Sequence, residues 1–277
     1  MTTAERARSD SGPVNLGVSL KMYFDTARTV AWCQELARIV SGHPAVRGGA
    51  AELFVLPTFL AVPAALEALR GTTIGVGAQD VFWRDAGAFT GEVSGRDLAQ
   101  LGCRYVEMGH SERRAILHED ARETGLKLAA AVRNGLTPVL CVGESDFGRA
   151  AEAVDECIGT LGRVFESSAV DDGERIIVAY EPEWAIGSTE PADGTRVAAV
   201  LAGVRGWLDA HAPFRRVDVI YGGSAGPGTL TALGGSVDGL FLGRFAHDID
   251  ALAGILDECL ARTSPAPLVD EIAAGHE

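Results

Sequence analysis

Eight times in 277 residues, a short run of strand-forming residues is followed by a stretch with helical apolar spacing, and this alternation restricts the chain to very few folds. The strands are predicted at 15–19, 52–56, 73–77, 105–108, 137–142, 176–180, 217–221 and 240–242. Helices are expected after them at 26–39, 63–70, 96–101, 119–134, 148–165, 194–210, 227–233 and 249–261. In the first helix Val30, Cys33, Leu36 and Ala37 share one face, and Gly135 is placed to stop the fourth. A long polar loop, AQDVFWRDAGAFTGEVS, interrupts the pattern after the third strand. Strands that alternate with helices pair in parallel, and eight units without a linker-like break predict a closed α/β structure, a single (β/α)8 barrel, over an open doubly wound sheet. The barrel domain is expected at 13–263, between a flexible amino-terminal extension (1–12) and a peripheral tail (264–277) rich in Pro and Ala.

Composition excludes several functions. A formal net charge of -14 with pI near 4.9 is the wrong sign for holding a phosphodiester backbone, so no nucleic-acid partner is expected. No apolar run approaches the roughly 18 residues that cross a bilayer, so no membrane association is expected. Residues 1–12 lack the apolar core of a secretory signal, and the five cysteines lack CxxC spacing and suit buried, reduced thiols. A cytoplasmic location follows from both.

In a parallel barrel the chemistry collects just past the carboxyl ends of the strands. Those ends offer Lys21, Pro57, the Gln79 loop, His110, Cys141 to Glu144, Glu181, the Gly222-Gly223-Ser224 turn and Gly243. A carboxylate, a histidine and a lysine around one mouth suit proton transfer next to a carbonyl. The first takes a carbon-bound proton, the second polarises the oxygen, and the third stabilises the developing charge. Gly187, Gly222, Gly223, Ser224 and Gly243 form turns whose backbone N–H groups suit a phosphate dianion. The remaining histidines (43, 118, 211, 247 and 276) have no metal-ligand spacing and are read as surface or packing residues.

The segments GCRYVEMGHSERR, GAQDVFWRDAGAFTGE, CVGE, AYEPEWAIG and YGGS, in this order, resemble the triosephosphate isomerase family over about residues 15–260. The resemblance implies a TIM barrel that interconverts an aldose phosphate and a ketose phosphate without cofactor or metal. By motif, Glu181 is similar to the family's base, His110 to its neutral imidazole and Lys21 to its cation. Glu112 resembles the second carboxylate beside the histidine, Cys141 the strand-five cysteine, and residues 182–190 the lid that excludes water from the reacting substrate. The family is usually a homodimer through the strand-three loop. That places Gln79 and Thr90 near the neighbouring subunit's Lys21.

Three departures bear on the substrate. The family's Asn-x-Lys-Met reads Ser19-Leu20-Lys21-Met22, which opens room beside the lysine. The Gly-Gly pair after the last strand reads Gly243-Arg244, adding a guanidinium able to clamp a phosphate or reach a hydroxyl. The lid carries Glu183 and Glu190 where the family commonly has an apolar residue and a lysine. The catalytic set is retained and the substrate's edges change. Triose phosphate, as glyceraldehyde 3-phosphate and dihydroxyacetone phosphate, is the simplest substrate. An erythrulose phosphate of tetritol breakdown stands beside it, for which Gly243-Arg244 speaks, and a catalytically silent sugar-phosphate-binding protein is a third reading.

Overall fold

The computed structural model describes residues 12–186 and 192–263. Eight parallel strands, β1 (Val14–Ser19), β2 (Ala51–Leu56), β3 (Gly75–Ala78), β4 (Tyr105–Met108), β5 (Thr137–Val142), β6 (Gly173–Tyr180), β7 (Phe214–Tyr221) and β8 (Gly239–Leu242), close into a barrel in sequence order. The seam between β1 and β8 pairs Asn15 with Gly239 and Val18 with Leu242. A side chain at Gly239 would lie 1.8 Å from the Asn15 carbonyl oxygen, so glycine is what lets the last strand close on the first.

Around the barrel run α1 (Thr26–Val40), α2 (Pro44–Arg47), α3 (Val62–Ala68), α4 (Gly95–Leu101), α5 (Ser111–Leu117), α6 (Ala121–Arg133), α7 (Ala150–Ser168), α8 (Gly194–His211), α9 (Thr229–Leu233) and α10 (Ile249–Thr263). Helix α1 shows the construction. Asp25 accepts from the Arg28 N–H at 2.7 Å to cap the start, and Thr29, Trp32, Cys33, Leu36 and Val40 turn one face to the sheet.

Because the side-chain period of a strand is two, the inward residues are Phe54 and Leu56, Tyr105, Val139 and Cys141, Ile177 and Ala179, Ile220 and Phe241. Phe54 stacks on Tyr105 at 4.5 Å between ring centroids, in the space that Gly17 leaves. One step further toward the carboxyl ends, the same faces present Ser19, Glu107 and Glu181, all buried. The amino end is plugged by Arg175, which donates to Glu52 at 2.9 and 3.0 Å, to Asp218 at 2.7 Å and to Asn15 at 2.6 Å.

The predicted helix at 119–134 is α6, and the shorter α5 stands apart before it. His118 takes left-handed backbone (φ 57°) and ends α5, because Glu119 turns inward to accept from the Gly109 N–H at 3.2 Å, Arg113 Nε at 2.8 Å and buried Lys127. Asp120 then caps α6. Strand β3 begins two residues later than expected, since Thr72 is spent on a turn with Leu69 O and the Ile74 N–H. The loop after β3 folds onto itself, with Phe82 buried and its ring 4.0 Å from that of Trp83 and 4.7 Å from that of Phe89. The expected extension, except for residue 12, and the expected tail lie outside the described residues.

Candidate active site

At the end of β1, Lys21 sits in left-handed backbone (φ 47°), a conformation that costs a non-glycine residue of order 1 kcal/mol or more and persists only where neighbours hold it. Gln79 is one such neighbour. Its side-chain amide donates to Lys21 O at 3.0 Å and to Leu56 O at 2.8 Å. Gln79 thus pins the lysine of its own chain. Lys21 Nζ then reaches Glu112 Oε1 at 2.7 Å. Burial opposes the lysine's charge, but the hydrogen bond with Glu112 and the nearby Glu181 and Glu107 outweigh it and raise its pKa.

The turn from β4 into α5 delivers His110. Its Nδ1 accepts from the Glu112 N–H at 3.1 Å, so the ring proton belongs on Nε2. Among the described residues that buried atom has no hydrogen-bond partner, and it lies 3.5 Å from Glu181 Oε2, which is likewise buried and without a partner there. Two orphaned polar atoms facing each other at this distance mark where a ligand oxygen and a ligand hydrogen would sit.

Glu181 follows β6, with its N–H on Val142 O at 2.8 Å. Two glycines make its room. A Cβ at Gly222 would meet Glu181 Cγ at 2.6 Å, and one at Gly143 would meet Glu181 O at 1.9 Å. Gly222 therefore contributes space, since its own N–H is committed to Tyr180 O at 2.9 Å. Gly223 O accepts from the Tyr221 hydroxyl, and Ser224 (φ 54°) donates to Ala185 O at 2.6 Å, tying the β7 turn to the residues after Glu181.

Ser19, Lys21, Glu112 and Glu181 share one cavity of about 740 Å³ with Gly222, Ser224, Gly243 and Arg244. That volume suits a small ligand. Gly187 and the lid residues 188–190 lie outside the described residues; Thr90 is exposed in the strand-three loop, away from this cavity. The segment just after Glu181 is anchored. Trp184 Nε1 donates to Glu144 at 2.9 Å, Glu144 also accepts from Tyr180 and Arg196, and Glu183 pairs with Arg114. The acidic Glu183 thus has a cation waiting for it.

Phe245 and Glu107 are absent from the strand-end reading. Phe245 lines the cavity beside Arg244. Glu107, inside β4, is 3% exposed; it accepts from Ser19 Oγ at 2.8 Å and lies 4.0 Å from both His110 Nε2 and Cys141 Sγ. Burial lifts its carboxyl to about 7, with Glu181 adding to the effect and His110, Ser19 and Lys21 working against it. Cys141 is pushed well above the usual thiol range by burial and by Glu181 and Glu107, and so is not a nucleophile.

A closed parallel barrel that gathers a half-buried lysine with a buried histidine and glutamate at its carboxyl end has the arrangement that proton transfer on a small ligand needs. The triosephosphate isomerase family profile matches residues 15–259, and the chain belongs to that family. It is 48% identical to the L-erythrulose-1-phosphate isomerase of Pectobacterium atrosepticum over 258 residues, which covers 92% of this chain and 99% of the relative. The protein of that name from Brucella abortus is 38% identical over 260 residues, 89% and 96% of the two chains. The triosephosphate isomerase of Moorella thermoacetica is 39% identical over 223 residues, 78% and 88% of the two chains.

Proposed function

We propose that this chain isomerises a four-carbon ketose phosphate, erythrulose 1-phosphate. Glu181 is the base, His110 the donor to the substrate oxygens, and Lys21, seated on Glu112, the cation. The observation that carries the reading is the 48% identity, over nearly the full length of both chains, to a protein named L-erythrulose-1-phosphate isomerase. The facing, unpartnered His110 Nε2 and Glu181 Oε2 supply the chemistry it needs.

In erythrulose 1-phosphate the carbonyl is on C2 and the C1 oxygen is esterified, so the carbonyl can migrate only to C3. Glu181 removes the C3 proton, and the electron pair left behind forms the C2–C3 double bond. The charge on O2 is met by His110 Nε2–H and Lys21. A proton passes from O3 to O2, Glu181 returns its proton to C2, and erythrulose 4-phosphate results with no atom gained or lost. Ser224, Gly243 and Arg244, with Gly223 and Gly187, hold the phosphate.

Incubation in deuterium oxide tests this. One solvent deuteron should appear on a carbinol carbon of the product, and Glu181→Asp should slow its appearance by about a hundredfold or more, since a shorter side chain withdraws the carboxylate. Retention of every carbon-bound proton with three- and four-carbon phosphates contradicts the reading and leaves the silent binding protein. Triose phosphate is the second reading. The Moorella relative's name supports it, and the same three residues serve it.

A homodimer is part of the proposal. Met22, Leu60 and Ile116 are 90%, 87% and 72% exposed, a cost to a monomer that a second copy removes, and sedimentation at about twice 29.0 kDa is the expected result. A cytoplasmic setting is supported by five buried cysteines, none in a disulfide.

A further inference from the structure

Erythrulose 1-phosphate is a triose phosphate with one addition. Its two reacting carbons are flanked by the phosphate-bearing carbon on one side and by a hydroxymethyl group on the other. In a triose phosphate the second flank is only hydrogen. A site selective for four carbons therefore needs space and a hydroxyl partner on the side of Glu181 and His110 that faces away from the phosphate.

Ser19 is a polar group placed to serve: it lines the cavity with Lys21, Ser224 and Gly243. Lys21 is engaged by Glu112, whereas Ser19 Oγ leads inward to Glu107 Oε2 at 2.8 Å. Glu107 is buried; Ser19 is its close donor, with His110 Nε2 and Cys141 Sγ each 4.0 Å from its other oxygen. A carboxyl group has about four acceptor sites, and with Ser19 and Cys141 as donors this one keeps capacity for a further hydrogen bond. Nothing in the barrel's packing requires a carboxyl here, because the neighbouring inward positions carry Cys141, Ala179 and Phe241.

We propose that Ser19 and Glu107 form the subsite for the hydroxymethyl group remote from the phosphate, and that this pair sets the preference for four carbons over three. The substrate's terminal hydroxyl bonds to Ser19 Oγ and the Glu107 carboxyl, and fixes the adjacent reacting carbon against Glu181. Burial holds the Glu107 proton near neutrality, which limits the electrostatic conflict with Glu181 while the group still exchanges hydrogen bonds. The inference rests on the four-carbon reading.

The test compares kcat/KM for erythrulose 1-phosphate, for its analogue with methyl in place of the terminal hydroxymethyl, and for glyceraldehyde 3-phosphate. Wild type, Ser19→Ala, Glu107→Gln and Glu107→Leu are measured in parallel. The wild type should reject the methyl analogue by about a thousandfold or more, as hydroxyl-binding sites do. Glu107→Leu should lower the four-carbon to three-carbon ratio at least a hundredfold and lose discrimination against the methyl analogue. Ser19→Ala should lower the ratio about tenfold, and Glu107→Gln should retain most of it. Equal losses on all substrates would make the pair structural and overturn the proposal, as would a wild type that accepts the methyl analogue fully. Should Glu107→Leu not fold, the methyl analogue and Ser19→Ala still decide. A wild type that turns over only triose phosphate overturns the four-carbon reading itself, a different result from a four-carbon isomerase indifferent to Glu107.

Discussion

Glu107 leaves a signature in stability that is separate from catalysis. Its carboxyl titrates near 7 in the folded chain against an ordinary 4.5, because burial disfavours the charged form. Between those values the native state holds a proton that the unfolded chain has released, so this contribution to stability falls as pH rises through the window. Asp80, lifted by burial to about 6 despite Lys127, adds a slope of the same sign. Glutamine at position 107 does not titrate. The Tm of Glu107→Gln relative to the wild type should therefore rise from pH 5 to pH 8, and a difference that stays constant would contradict the assignment. The same residue shows what the sequence conceals. His110, Glu181 and Lys21 are legible because each stands just past a strand in a motif of fixed spacing. Glu107 lies within an apolar run and reads as part of it. Its period-two spacing from Tyr105, which points into the barrel, is the signal that marks it as inward.

At the level of elements, the site depends on how closely β5 and β6 meet. The Gly143 Cα faces the Glu181 carbonyl so directly that a methyl group there would lie 1.9 Å from the oxygen. Gly143→Ala must push the end of β6 aside, and Glu181 moves with it. Because misplacement by about 1 Å costs on the order of a hundredfold in rate, kcat should fall at least that far while the far-ultraviolet circular dichroism keeps its barrel signature. Activity within a few-fold of the wild type would show that the strand ends are looser than drawn. Strand and helix order was readable from periodicity and glycine punctuation. The left-handed turn at His118 that ends α5 was not, since it depends on a cluster of Lys127, Asp80, Glu119 and Arg113 contributed by separate segments. The Gln79 contact with Lys21 escaped for the same reason: it joins two loops 58 residues apart.

Over the whole molecule the two ends of the barrel have separate tasks. The amino end is closed by the Arg175 network, which spans β1, β2, β6 and β7, and the carboxyl end holds the cavity. Arg175→Ala leaves Glu52 and Asp218 without their shared cation. It should destabilise the fold by about 3–5 kcal/mol, the usual cost of breaking a largely buried pair. Turnover by the folded fraction should stay within a few-fold of the wild type, and a large loss of kcat at full folding would show the ends to be coupled. The central claim, that this barrel is tuned for four carbons, is tested most directly by steady-state turnover of erythrulose 1-phosphate and glyceraldehyde 3-phosphate side by side. A kcat/KM ratio of about a hundredfold or more in favour of the tetrulose is predicted, near 2.7 kcal/mol in transition-state binding. A ratio of that size in favour of the triose would contradict the account.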